Sequence, residues 1–268
     1  TFGGEARHIV ALPGPPRELQ RMWREEALAR LPLAGAALHR LTLKTYGLGE
    51  SAIAELLAEL TGRANPSVAT YAKSDGVHVR IAAKAPEPER ARSLVEEAGA
   101  VARELLAQAI WGEDDDELAA LVVGALKRRG MSVALLESSS GGHLTDLISA
   151  VPGAEDVYRG GVVALVPQTM AALGLPGPAE LGEHGSEYAV RLAQAVGSAF
   201  SAFMGVAVTD GGTPDAGRQG QATDEAVVAV HSGGESAVKQ LDMTPVPAAW
   251  RRERLSNAAL HLLWSQLR

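Results

Sequence analysis

The sequence has no cysteine and few aromatic residues, and each scarcity excludes a class of site or protein. Without cysteine there is no disulfide framework, thiol nucleophile or zinc–thiolate centre, which fits a reducing cytoplasm. Aromatic residues make up 4% of a chain that is 46% hydrophobic, so small aliphatic side chains must fill its cores. No apolar run approaches the roughly 18 residues that cross a membrane, and we expect no membrane partner.

Positive charge is also scarce, because 25 Lys and Arg face 32 Asp and Glu for a net charge of −7. An acidic chain lacks a general positive field, so we expect no direct nucleic-acid partner. A phosphorylated small molecule is compatible with this charge, since backbone N–H groups and one or two cations can hold a phosphate. No His/Asp/Glu cluster has ligand spacing, so we expect neither a metal nor a cofactor.

The length of 268 residues predicts about two compact units, and a shorter segment precedes them. His8 to Leu12 is a short apolar run that predicts a strand, which Pro13 to Pro16 must end. Arg17 to Arg30 predicts a helix with an apolar side. One strand and one helix cannot bury a core, so we expect residues 1–34 to be the end of a larger domain.

Residues 35–112 form the first of the two predicted units. The pattern predicts a strand over His39–Tyr46, a helix over Glu50–Leu60, and a hairpin that turns at Ser74–Gly76. A long helix follows from Pro86 to about Ile110. The order β-α-β-β-α predicts a small α+β layer with helices on one face of a sheet.

Residues 113–268 form the second predicted unit. Its acidic run, Glu113–Glu117, predicts a helix N-terminus, where carboxylates favour the positive end of the macrodipole, and a cation site is the alternative. A helix over Leu118–Arg129 then ends at Gly130. Helices and short strands alternate beyond it, which predicts an α/β fold with an α/β/α layered arrangement. The remaining elements are strands at 132–136, 161–166, 205–208 and 226–231 and helices at 142–150, 168–173, 187–203 and 251–266.

The most informative stretch is residues 133–142 (VALLESSSGG), an apolar strand followed by three serines and two glycines. It predicts a strand-to-helix turn at the carboxyl end of a strand, where α/β folds bind ligands. Glycines let the backbone approach a ligand, and a helix N-terminus offers unpaired N–H groups to an anion. The serines can act as a nucleophile, as phosphate donors or as helix N-caps, and these alternatives stay open.

Several short motifs in one order give the chain a resemblance to a known family. Glu137–Gly142 resembles the ESCTGG signature of CinA-family C-terminal domains, which are nicotinamide-nucleotide deamidases. The other matches to the family are Leu12–Leu19, Thr45–Ser51, Asn65–Val68, Trp111–Asp114, Val151–Ala154, Gly160–Ala164, Leu173–Leu175, Glu183–Gly185, Val208–Thr209 and Pro214.

The resemblance implies a domain organisation and a reaction. Residues 1–34 would be a remnant of a molybdopterin-binding-like domain, 35–112 a KH-type α+β domain, and 113–268 the deamidase-like domain. The implied reaction hydrolyses nicotinamide mononucleotide (NMN) to nicotinate mononucleotide and ammonia. The family also implies a homodimer and a protein partner such as RecA.

The resemblance assigns roles to residues of the second unit. Ser138 and Ser140 would be catalytic. The substrate-binding set would be Glu137, Ser139, Gly141, Gly142, Gly161, Thr209 and Arg252.

The chain departs from the family where the family has its proton-transfer groups. Leu165 stands where a Tyr is expected, and Thr169 or Met170 stands where a Lys is expected. Neither Leu nor Met can transfer a proton, and the loss of a preorganised donor typically costs about 10²–10³ in rate. Asp210 would oppose a phosphate if it faced the site. Two hypotheses follow: an active NMN deamidase, or a catalytically inactive nucleotide-binding or scaffold domain.

Three nearby cations and the KH-type unit complete the expectations. Lys127, His143 and Arg159 are expected to be surface residues, although relocated catalytic groups are an alternative. A KH fold that binds nucleic acid normally carries a GXXG loop. Gly47–Gly49 lacks that spacing and the region is not strongly basic, so we interpret this unit as a spacer or dimerisation module.

Overall fold

The described part of the N-terminal segment, residues 9–31, has no buried core. The computed structural model describes residues 9–31, 37–163, 174–175, 185–210, 225–244 and 246–268. Helix α1 begins at Pro16 and continues through a π-helical turn to Arg30, with no buried side chain. The predicted strand at His8–Leu12 is wrong over residues 9–12, which pair with no neighbouring strand. An apolar run needs a partner edge to become a strand, and the described residues offer it none.

The first sheet has four strands in the order β2-β3-β1-β4, and all three pairings are antiparallel. Its helices pack on one face, as the α+β pattern predicts. The strands are β1 (Ala37–Thr45), β2 (Ser67–Lys73), β3 (Gly76–Ala85) and β4 (Ile110–Glu113), and the helices are α2 (Glu50–Leu56), α3 (Ala58–Thr61) and α4 (Pro88–Leu106).

Strand β4 is an element that the sequence pattern does not predict. The long helix ends at Leu106 instead of Ile110, and four residues then pair with β1. Four residues are too few to show a period, so they resemble a boundary. The Arg103 guanidinium ties the new strand to α4 through Glu113, with N–O distances of 2.7 and 2.8 Å.

The acidic run directly precedes a helix N-terminus, as predicted, but none of its side chains caps that helix. Asp114 Oδ1 accepts a hydrogen bond from the Thr42 N–H, and Asp116 Oδ2 accepts one from the Glu113 N–H, both at 2.8 Å. Helix α5 (Leu118–Arg129) begins without a side-chain cap or an acidic residue in its first turn. The carboxylates therefore hold the edge of the first sheet, and this reflects a partner strand that is distant in sequence.

The second sheet has five strands in the order β6-β5-β7-β8-β9. Strands β6, β5 and β7 are parallel, whereas β8 and β9 pair in antiparallel fashion. The strands are β5 (Val133–Glu137), β6 (Tyr158–Val163), β7 (Met204–Asp210), β8 (Glu225–Ser232) and β9 (Glu235–Asp242). Strand β9 was not predicted, because most of its side chains are polar or exposed. It pairs with β8 in a hairpin, and its Leu241 is buried in the core.

Helices cover both faces of the second sheet, which confirms the α/β/α layers. Val133 and Leu135 pack under α5, α6 (His143–Ser149) and α8 (Ala248–Gln266), whereas Ala134 and Leu136 pack under α7 (Ser186–Ala199). Gly130 ends α5 in the left-handed conformation, with φ of 64°, as predicted. The predicted helix at 168–173 and the end of the 161–166 strand lie outside the described residues.

His261 on α8 connects the two sheets. Its ring stacks on Tyr46 with centroids 3.5 Å apart, and its Nε2 donates to the Asp75 carbonyl oxygen at 2.8 Å. Trp111 meets the same ring edge-on at 5.6 Å. Burial lowers the pKa of His261 to about 4, so the ring is neutral at pH 7.

Candidate functional site

The predicted turn lies between β5 and α6. Gly141 and Gly142 have φ of 60° and 89°, which is left-handed backbone that favours glycine. The amide N–H groups of residues 139–142 meet no acceptor within the part of the chain that the structure describes. Successive N–H groups in such a turn form an anion-binding concavity.

The Glu137 side chain accepts hydrogen bonds from the first turn of α6. Its side chain is fully buried, and Oε1 accepts from the Thr145 N–H at 2.8 Å. Oε2 accepts from the Leu144 N–H at 3.0 Å and from the Ser140 hydroxyl at 2.7 Å. The predicted free helix N-terminus is therefore wrong, because an internal carboxylate already takes its donors. In this position Glu137 holds the turn, and its predicted contact with substrate stays a prediction.

The three serines have three different environments. Ser140 is buried, with its hydroxyl committed to Glu137, and Ser138 Oγ donates to the Val208 carbonyl oxygen at 3.2 Å. Ser139 Oγ is buried without a hydrogen-bond partner among the described residues. The N-cap of α6 is Gly142 and receives no side-chain cap, so the capping alternative for the serines is wrong. Ser138 is half-buried, and the predicted catalytic roles of Ser138 and Ser140 stay predictions.

Arg252 on α8 lies close to the turn, and its predicted substrate-binding role stays a prediction. A Cβ on Gly141 would be 3.3 Å from its Cζ, so glycine allows this close approach. The Arg252 side chain is exposed, and no carboxylate of the described residues pairs with it. One turn along the helix, Ser256 Oγ lies 3.0 Å from His143 Nδ1. The predicted surface residue His143 is thus anchored at the rim of the turn.

Gly161 and Thr209 lie in strands beside the turn and contribute to packing. A Cβ on Gly161 would come within 2.7 Å of the Leu135 carbonyl oxygen and 2.8 Å of the Tyr158 hydroxyl. Thr209 is buried, and its hydroxyl points to the Val227 carbonyl oxygen at 3.5 Å. Their substrate-binding roles remain predictions.

Tyr158 is a phenol near the site that the sequence analysis overlooked. Its hydroxyl lies 3.3 Å from Thr145 Oγ1, on the side of the sheet where Glu137 lies. Burial raises the pKa of Tyr158, and the charge of Glu137 adds to this effect. An aromatic residue with a hydroxyl just before Gly160–Gly161 was the signal in the sequence.

Four positions that the resemblance singles out lie outside the part of the chain that the structure describes, one of them only in its side chain. Leu165, Thr169 and Met170 lie outside the described residues, as does the Asp210 side chain. Lys127 forms an ion pair with Asp156 at 3.0 Å, as expected for a surface residue. In the described ranges no cluster of His, Asp and Glu is arranged to hold a metal, and no helix has the length and apolarity to cross a membrane.

The layered fold and the serine–glycine turn define an α/β/α domain with a glycine-rich strand-to-helix turn, joined to an α+β unit. A family model described as "Damage-inducible protein CinA KH domain" matches residues 40–112. A model described as "CinA C-terminal domain" matches residues 115–267, which is more than half of the chain. The chain therefore belongs to the CinA family, and the resemblance seen in the sequence is confirmed.

Relatives extend this result. A "CinA-like protein" of Deinococcus deserti is 43% identical over 95% of this chain and 60% of its own length. One of Deinococcus radiodurans is 39% identical over 97% of this chain and 61% of its own length. The chain thus spans about three fifths of the length of these curated relatives. A crystal structure of a CinA superfamily protein from Enterobacter cloacae shares the fold, with a TM-score of 0.50 and 19% identity over 59% of this chain and 96% of its own.

Proposed function

We propose that the C-terminal domain binds NMN at the serine–glycine turn and hydrolyses its amide slowly. The observation that carries this proposal is the Arg252 guanidinium, which is exposed beside Gly141 and unpaired within the described ranges. Together with the free N–H groups of residues 139–142, it forms a site of the right charge for a phosphate. NMN as the ligand is carried over from the family resemblance.

The chemistry of amide hydrolysis sets what the site must supply. It needs a nucleophile or activated water, a group that stabilises the oxyanion, and a proton donor for the leaving ammonia. The Ser138 hydroxyl and the turn N–H groups are candidates for the first two. Because Leu165 and Thr169 or Met170 replace the expected Tyr and Lys, we propose a rate reduced by about 10²–10³ for each missing group.

A second candidate function is nucleotide binding without hydrolysis, as a regulatory or scaffold domain. The commitment of Ser140 to Glu137 favours it, since this hydroxyl is buried and already donates its proton. The homodimer and a protein partner such as RecA, both implied by the family, remain proposals for this role.

Calorimetric NMN binding and ammonia release distinguish these candidates. Arg252→Ala should weaken NMN binding about 10- to 150-fold, the value of a charge-assisted hydrogen bond. Arg254→Ala, on the same helix, is the matched control and should leave binding unchanged. Ser138→Ala should abolish ammonia release, whereas Ser149→Ala on α6 should not. Binding without ammonia release would select the second candidate, and the absence of both would overturn the proposal.

A further inference from the structure

The charges of the first sheet are strongly segregated. Strands β1, β2 and β3 contain no Asp or Glu, although the whole chain carries a net charge of −7. These three strands contain five Lys and Arg residues, which are Arg40, Lys44, Lys73, Arg80 and Lys84. The acidic residues of this unit lie mainly on its helices.

Register places these cations on one face. Paired residues of antiparallel strands share a face, and Thr42 pairs with Arg80, Lys44 with His78, and Leu38 with Lys84. The alternate residues Leu41, Leu43, Val79 and Ile81 are buried in the core under the helices. The basic residues therefore occupy the opposite face, which no described helix covers. We call this surface the basic sheet face.

The basic sheet face carries an aromatic ring as well as charge. Tyr71 of β2 pairs with His78 and is 40% exposed, and the Arg80 guanidinium lies 4.8 Å from its ring centroid. A concave region of about 380 Å³ extends from Arg80 across Arg40 and Lys44 to Asp114 and Asp115. The two aspartates close the face at the β4 edge.

Arg40 and Lys84 have no ion-pair partner among the residues that the structure describes. Lys44 is partly engaged, since its ammonium donates to the Asp116 carbonyl oxygen at 2.7 Å. At a Debye length of about 8 Å in physiological salt, acidic residues on distant elements are largely screened from this face. Asp114 and Asp115 at its β4 edge, and Asp75 in an ion pair with His78, are the carboxylates that lie beside it. The net charge of the chain therefore does not describe this surface.

We propose that the basic sheet face binds single-stranded nucleic acid, which lies across β2, β3 and β1 and is stopped at β4 by Asp114 and Asp115. Charge complementarity selects a polyanion, with Arg40, Arg80 and Lys84 on its phosphates. Tyr71 selects among polyanions, because an exposed ring beside a guanidinium offers a stacking platform for bases and an acidic peptide has no base to stack. This site is independent of the serine–glycine turn and uses no GXXG loop.

Fluorescence anisotropy with a labelled oligothymidylate and the full chain tests the proposal. With about three phosphates neutralised, a slope near −0.7 per phosphate predicts about 20-fold weaker binding between 50 and 200 mM salt. The double variant Arg40→Glu/Arg80→Glu should weaken binding at least about 10-fold. Tyr71→Ala should weaken it about 5- to 150-fold through lost stacking.

The matched control is Arg90→Glu/Arg92→Glu, which makes the same charge change on exposed residues of α4. This variant should bind like the original chain, and circular dichroism should show that all variants are folded. No binding at 50 mM salt, an equal loss in the control variant, or equal affinity for a polyglutamate competitor would each overturn the proposal. NMN binding at the other site should be unaffected in every variant.

Discussion

Replacing Glu137 with Gln should destabilise the C-terminal domain, because the buried carboxylate is the acceptor for three donors. The amide keeps one carbonyl oxygen and presents an NH₂ group where the second carboxylate oxygen accepts. At least one of the Ser140 hydroxyl, the Leu144 N–H and the Thr145 N–H then loses its partner. Such a loss costs about 1–3 kcal/mol when the donor is buried.

The charge change adds to this cost. Glu137 faces the positive end of α6, and a carboxylate in that position contributes about 0.3–2 kcal/mol. Together the two effects predict that Glu137→Gln lowers the free energy of unfolding by about 1–5 kcal/mol.

Equilibrium denaturation in urea measures this difference. Glu155→Gln is the matched control, since Glu155 is exposed beside the same layer and its replacement should change stability by less than about 0.5 kcal/mol. A loss below about 1 kcal/mol for Glu137→Gln would refute the reasoning that the carboxylate holds the turn together.

Two further predictions concern pH and packing. The folded-state pKa of His261 is about 4 against an ordinary value of 6.5, so the unfolded state binds its proton first and stability falls as pH falls below 6.5. Between pH 7.5 and pH 5 the protonation of His261 should lower the free energy of unfolding by about 2 kcal/mol. His261→Phe should remove this pH-dependent loss when denaturation is measured at the two pH values, and an unchanged pH dependence in the variant would contradict the prediction. Gly205→Ala should cost about 3 kcal/mol, the upper end of the usual range for overpacking, since its Cβ would overlap the Ala193 carbonyl oxygen. Gly124→Ala, whose Cβ meets only the flexible Arg128 guanidinium, should instead stabilise α5 by about 0.5–1 kcal/mol in thermal unfolding; equal effects of the two changes would refute this distinction.

Local patterns in the sequence determined the elements whose signals lie within a few residues. The C-cap at Gly130, the hairpin turn at Ser74–Gly76 and the serine–glycine turn after β5 were all predicted correctly. Each depends on backbone conformations that glycine or a strand period favours, and neighbouring residues suffice to show them. The family motifs, which occur in the expected order along the chain, were also sufficient to identify the CinA family.

Patterns that depend on a distant partner were interpreted wrongly or missed. Strand β4 exists because β1, which is far away in sequence, offers it a pairing edge, and Asp114 of the acidic run bonds to that same strand. The pairing energy of β4 therefore comes from a distant strand, and no local period marks it. Strand β9 pairs instead with its hairpin neighbour β8, and it was missed although Gly233 and Gly234 form the turn between the two strands.

The tertiary structure alone decided how the site is built and where the charge lies. The sequence placed Glu137, Gly141 and Arg252 in one set, but the packing of α8 brings Arg252 over Gly141 while Glu137 turns inward to α6. The first unit is not strongly basic as a whole, and the packing of α4 on one face of its sheet leaves the cations of β1 and β3 together on the other face. Sequence fixes which residues can act together, and long-range packing selects which of them meet solvent.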